Sequence, residues 1–129
     1  MSKKIVCAVF ALFALVAGTA FAQSGFQNTC SNITFAYSGS QAALQATCLR
    51  ADGTPNPSTL ILQGIGNQNG QLVQGSGAST FQKSCGNIQI NATASQVTLS
   101  ALCRTSSGAS NATSLPLNGI KNNNGSLSY

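Results

Sequence analysis

The stretch Leu60-Ile-Leu-Gln-Gly-Ile-Gly-Asn-Gln-Asn-Gly-Gln-Leu72 returns 55 residues later as Leu115-Pro-Leu-Asn-Gly-Ile-Lys-Asn-Asn-Asn-Gly-Ser-Leu127. In both copies an Asn-Gly pair, Asn69-Gly70 and Asn124-Gly125, is preceded by an Ile and followed by a Leu. That is a two-residue hairpin signal, because a type I′ turn needs positive φ at both central positions. The same shift of 55 aligns residues 26–74 with 81–129 without a gap, and 20 of those 49 positions are identical. Phe26-Gln27 meets Phe81-Gln82, Cys30 meets Cys85, Asn32-Ile33 meets Asn87-Ile88, Leu44 meets Leu99, and Cys48 meets Cys103. The chain is a tandem repeat. Because chains of about 50 residues bury too little apolar surface to be stable alone, the two repeats are expected to share one core.

Upstream of the hairpin, each repeat reads as about three short strands. Ile33, Phe35 and Tyr37 alternate with polar residues, as do Ile88 and Ile90, and then Val97, Leu99 and Ala101. This is the period of half-buried strands, and it assigns Phe35 and Tyr37 to the core rather than to a sugar-stacking platform. No amphipathic helix longer than one or two turns is visible. Between the repeats, Gln74 to Thr80 (QGSGAST) reads as the one Gly/Ser-rich linker.

Residues 1–22 have the three parts of a secretory signal peptide: Lys3 and Lys4, an apolar run from Ile5 to Val16, and the small-x-small site Ala20-Phe21-Ala22. Cleavage after Ala22 leaves a single domain of 107 residues, 23–129, and a secreted protein. Cys7 leaves with the signal. Cys30, Cys48, Cys85 and Cys103 remain, an even count that reads as two disulfides in a small exported chain, with three connectivities open.

The full chain has six Lys or Arg, one acidic residue and no His. Without an imidazole there is no Ser-His-Asp or Cys-His machinery, and with Asp52 alone there is no carboxylate pair for glycoside hydrolysis. Metal and cofactor chemistry lacks ligands for the same reason. The expectation is a non-enzyme without metal or cofactor. After the signal, Arg50, Lys83, Arg104 and Lys121 face Asp52 alone and are scattered, which argues against a nucleic-acid partner. Nor does any later segment have the length to span a membrane. Ser, Thr, Asn and Gln supply 49 of the 107 mature residues. They match sugar hydroxyls without the desolvation cost of charges, although they equally suit the surface of a small β-protein.

The run Phe26-Gln-Asn-Thr-Cys30, the Cys48-Leu-Arg50 that follows it, the hairpin from Leu60 to Leu72, and their copies at Phe81, Cys85, Cys103 and Asn124-Gly125 together resemble the cyanovirin-N homology family. The likeness covers essentially the whole mature chain. It implies an elongated all-β fold of two pseudo-symmetric halves, each a three-stranded sheet plus a hairpin, with the hairpins exchanged so that residues 23–64 with 119–129 form one half and 65–118 the other. It implies disulfides Cys30 to Cys48 and Cys85 to Cys103. It also implies a metal-free lectin for oligomannose glycans or glycoproteins, often preferring terminal α1,2-linked mannose, with one shallow pocket at each end.

Carried onto this sequence, the first pocket comprises Gly25, Asn28, Thr29, Leu49, Ala51, Asn122, Asn123 and Asn124. Leu49 stands where an acid is common in the family, and Gly25 and Ala51 where hydrogen-bonding side chains are seen. The second comprises Gly66, Asn67, Asn69, Ser79, Thr80, Lys83, Ser84, Arg104, Thr105 and Ser106, with Gly66 and Lys83 in place of two family acids. The hairpin asparagines have an alternative role, because Asn tolerates the left-handed geometry of a turn. Asn32, Asn91, Asn111 and Asn124 begin N-x-S/T sequons, which matter where the host glycosylates exports. The Gly/Ser linker favours a monomer with at most a minor domain-swapped dimer, since short strained hinges promote swapping.

Overall fold

The computed structural model describes residues 23–129; the signal-peptide reading of 1–22 lies outside the described residues. Ten strands follow in order: β1 (Cys30–Ser38), β2 (Gln41–Leu49), β3 (Pro55–Ile61), β4 (Gln63–Gln68), β5 (Gln71–Ala78), β6 (Cys85–Ala92), β7 (Val97–Arg104), β8 (Ser110–Pro116), β9 (Lys121–Asn123) and β10 (Ser126–Ser128). They form two antiparallel meanders, β1-β2-β3 and β6-β7-β8, and two hairpins, β4-β5 and β9-β10. Three strands and a hairpin per repeat is the arrangement the sequence predicts. Single 3-10 turns at Phe26–Asn28 and Phe81–Lys83 open each repeat and bury their phenylalanines.

The hairpins cross over. In the β4-β5 turn Asn69 and Gly70 have φ of 51° and 87°, the type I′ geometry. That turn docks on the second meander, where Asn111 Nδ2 donates to the Gly70 carbonyl (2.8 Å) and Leu72 N–H to Thr113 Oγ1 (3.1 Å). The β9-β10 turn docks on the first meander through the equivalent bonds, Asn56 Nδ2 to the Gly125 carbonyl (2.8 Å) and Leu127 N–H to Ser58 Oγ (2.9 Å). Each repeat thus completes the other. One continuous core results, drawing Phe26, Leu44, Leu62, Ile65 and Leu72 from the first repeat and Phe81, Val97, Leu99, Leu117, Ile120 and Leu127 from the second.

Cys30 opposes Cys48, and Cys85 opposes Cys103, as direct cross-strand pairs, and each pair is a disulfide. Two residues later each meander carries a bulge, after Ser31 and after Gly86. There Asn32 and Asn87 adopt φ of 53° and 50°. Their identity across the repeats has a backbone cause, since Asn is among the few side chains that tolerate that region.

Two sequence expectations fail. Tyr37 is 56% exposed, not core; it lies at the end of β1 and meets Phe35 edge-on, with centroids 5.1 Å apart. Phe35 is half-buried and packs on Phe81. The strand period puts both on one face, but the core ends before the tip of the β1-β2 turn. Secondly, the segment read as a linker from Gln74 is largely strand, because β5 runs on to Ala78 and pairs back to Gln63 and Ile65. Gln74 Nε2 fixes it by donating to the Gln63 carbonyl (2.8 Å). A low-propensity strand forms here because an existing partner edge and a bulge absorb the glycines.

Candidate functional site

Buried serines hold the entry to each hairpin. Ser79 Oγ donates to the Leu62 carbonyl (2.7 Å) and accepts from Ile65 N–H (3.0 Å), bridging the crossover. Ser24, 55 residues earlier, does the same for Leu117 (2.6 Å) and Ile120 (3.0 Å). Ser79 is 7% exposed and both its bonds are internal, so it supports the second site from beneath rather than facing a ligand. Ser24 falls outside the aligned repeat; the shared Ser-x-Phe spacing of Ser24-Gly25-Phe26 and Ser79-Thr80-Phe81 is the signal that reveals it.

The hairpin asparagines act as clasps between halves. Asn67 Nδ2 donates to Ser84 Oγ (2.9 Å) and the Arg104 carbonyl (3.0 Å), while its Oδ1 accepts Gly70 N–H (2.8 Å). Asn122 repeats the pattern with Thr29 Oγ1 (2.9 Å), the Leu49 carbonyl (3.0 Å) and Gly125 N–H (2.8 Å). Asn69 Oδ1 accepts Ser106 N–H (2.9 Å), and Asn124 Oδ1 accepts Ala51 N–H (2.9 Å). Asn124 also has φ of 51°, so the turn-geometry role holds at Asn69 and Asn124. Removing such an amide strands partly buried backbone groups. Asn67→Ala and Asn122→Ala are each expected to lower stability by about 1–2 kcal/mol in guanidinium unfolding. A change of only a few tenths would remove the clasp role.

At the first end a cavity of about 240 Å³ is lined by Gln23, Gly25, Phe26, Thr29, Gly119, Ile120, Lys121 and Asn122. Of the sequence-predicted set, Gly25, Thr29 and Asn122 line it. Leu49 and Ala51 adjoin it through backbone bonds to Asn122 and Asn124, and Asn123 is exposed on β9. Asn28 directs its amide to the carbonyls of Gly25 (3.4 Å) and Ala94 (3.3 Å), the latter in the second repeat. Sequence reasoning missed Gln23, Phe26, Gly119, Ile120 and Lys121. Lys121 lies one period from Gly66 of the second set, so shifting that set by 55 would have found it.

At the second end Lys83, Ser84 and Arg104 line a cavity of about 400 Å³ with Cys85, Gly86, Asn87, Leu102 and Ser110. Asn67 and Asn69 border it through their bonds to Ser84, Arg104 and Ser106. Gly66 and Thr80 stand side by side, a β-carbon on Gly66 falling 3.9 Å from Thr80 Oγ1. Thr105 instead closes its own turn, its Oγ1 accepting Ala109 N–H (3.2 Å) and meeting Ser107 Oγ at 3.0 Å. Cys85, Gly86, Asn87, Leu102 and Ser110 lie outside the predicted second pocket.

Electrostatically the ends differ. Asp52, the one acidic side chain, sits in the β2-β3 turn, where Thr54 bonds it through its hydroxyl (2.6 Å) and its N–H (3.0 Å). Those bonds, with help from the Arg50 charge, hold its carboxyl below the usual carboxylate range. Arg50 is itself tied to Thr54, Pro55 and Asn56.

Fold and site therefore define an all-β protein of two repeats with exchanged hairpins and an open depression beside each hairpin. The CVNH domain model matches residues 26–128, and the chain belongs to that family. Among solved structures, a microvirin complex with mannobiose is 31% identical, with TM-score 0.62, covering 82% of this chain and 98% of that one. The CVNH protein of T. borchii is 30% identical with TM-score 0.64, covering 81% and 98%. A designed cyanovirin-N homologue lectin is 28% identical with TM-score 0.63, again covering 81% and 98%. No match was found among curated proteins.

Proposed function

We propose that this protein is a secreted carbohydrate-binding lectin for oligomannose glycans, with terminal α1,2-linked mannose as the preferred determinant. The observation that carries the reading is the pair of depressions, one beside each exchanged hairpin and one of them polar-lined, in a chain of the CVNH family. The mannobiose complex of microvirin supports it. Hydroxyls of Thr80 and Ser84, the Asn123 amide and nearby backbone are the groups offered to sugar, whereas the Thr29 hydroxyl is engaged by the Phe26 carbonyl and Asn122 Nδ2. Asn67 and Asn122 hold the hairpins in place rather than meeting ligand. Thr80 bonds within the protein through its N–H, to the Ile65 carbonyl (2.9 Å), which leaves its hydroxyl for ligand. The function is binding, without catalysis, metal or cofactor, by a monomer.

Titration of labelled protein with α1,2-mannobiose is expected to move amide resonances around Gly25–Thr29 and Lys121–Asn123, around Thr80–Ser84 and Arg104–Ser106, or at both ends. Absence of any shift with mannose oligomers at millimolar concentration would sink the reading. One observation favours a second reading, a structural or protein-interaction module that has lost its sugar sites. The polar side-chain atoms of Asn67 and Asn122 are all engaged internally, so the hairpins offer ligand less than their composition suggests. Strong signals on a glycan array reject that alternative.

A further inference from the structure

We propose that the second-end cavity binds an acidic glycan, one carrying a phosphate, sulfate or carboxylate group, in preference to a neutral one. The inference rests on the lectin reading above and specifies the ligand class of one of its two sites.

The tandem repeat supplies an internal control. The positions of Lys83 and Arg104, which line this cavity, are occupied by Asn28 and Leu49 in the first repeat. The same backbone forms around the neutral pair: the 3-10 turn, the disulfide and the backbone bond from Leu49 N–H to the Thr29 carbonyl (2.9 Å) recur as Arg104 N–H to the Ser84 carbonyl (3.0 Å). The fold therefore does not require cations there. Nor does this chain neutralise them. Its only acidic side chain, Asp52, is bonded to Thr54 in the first-repeat turn, and the matching residue of the second repeat is Ser107.

Two unneutralised cations beside Ser84, Asn87 and Ser110 make a surface with charge for an anion and neutral groups for sugar hydroxyls. Arg adds a planar fork that matches phosphate, sulfate or carboxylate oxygens. The first-end cavity has Lys121 as its one cation and so provides a weaker version of the same field.

The test is calorimetric and site-resolved titration of the protein with α1,2-mannobiose and with the same disaccharide carrying a 6-phosphate, alongside inorganic phosphate. Sulfated and uronic-acid disaccharides identify which anion is preferred. The phosphorylated sugar is expected to bind about tenfold tighter than the neutral one, as one or two exposed charge-assisted contacts allow. Its shifts should centre on Lys83–Asn87 and Arg104, and its advantage should fade as added salt shortens the screening length. The double variant K83Q/R104Q should bring the ratio of acidic to neutral affinity close to one. Equal affinity for the two sugars, or an advantage confined to the first end, overturns the inference. Inorganic phosphate binding as tightly as the phosphorylated sugar also overturns it, since the cations would then be only a general anion patch. Binding of the neutral sugar alone removes this inference and leaves the lectin reading standing, whereas binding of neither removes both.

Discussion

Gly64→Ala is expected to lower the unfolding free energy by roughly 3 kcal/mol or more, whereas Gly119→Ala, one period later, lowers it by about 1 kcal/mol. Both glycines lie at the hairpin crossover with left-handed backbone, φ of 73° and 78°. Both variants therefore bear the cost of a side chain in that region, about 1–2 kcal/mol. What separates them is space. A β-carbon on Gly64 would stand 2.6 Å from the Gly75 carbonyl carbon and overlap its oxygen, whereas one on Gly119 meets nothing within 4 Å. The obstacle at Gly64 is backbone, so relief requires β5 to move away from β4 and the Gln74 bond to Gln63 to break. Thermal and guanidinium unfolding of the two variants check this. Equal losses would show that β5 yields freely.

Removing either disulfide, as Cys30→Ala with Cys48→Ala or Cys85→Ala with Cys103→Ala, is expected to cost about 3 kcal/mol by the chain-entropy model. Each bridge spans 18 residues of sequence and joins residues already opposed across a strand pair. The folded strands hold the two positions together with or without the bond, so the loss arises mainly in the unfolded chain. The two bridges are in different meanders, and their losses should add to about 6 kcal/mol, a large share of the 5–15 kcal/mol by which small domains are usually stable. Denaturant unfolding with and without reductant measures this. A combined loss below about 2 kcal/mol would mean that the unfolded chain retains the cross-strand contacts.

Much of the fold was legible because its determinants are local and duplicated. Asn69-Gly70 and Asn124-Gly125 require a particular turn, and the alternation around Leu99 requires a half-buried strand; the structure has both. The site was less legible. Asn67, Asn69, Asn122 and Asn124 have clasp roles that depend on partners from the opposite repeat, and Ser79 is a buried brace; neither role is marked by neighbouring sequence. Lys121 is marked only through the repeat, one period from Gly66 of the second set, and not by its own neighbours.

The sequence alone determined that this protein is a duplicated β-structure with paired hairpins and a nearly uncharged surface. Turn geometry, strand period and composition are properties of neighbouring residues, readable along the chain. Only the tertiary structure decided which side chains remain free for a ligand. Every polar group must be satisfied somewhere, and the crossing of the hairpins turns Asn67 and Asn122 inward while leaving Lys83 and Arg104 beside an open cavity. The scarcity of acids, a bare count in the sequence, thereby acquires a location.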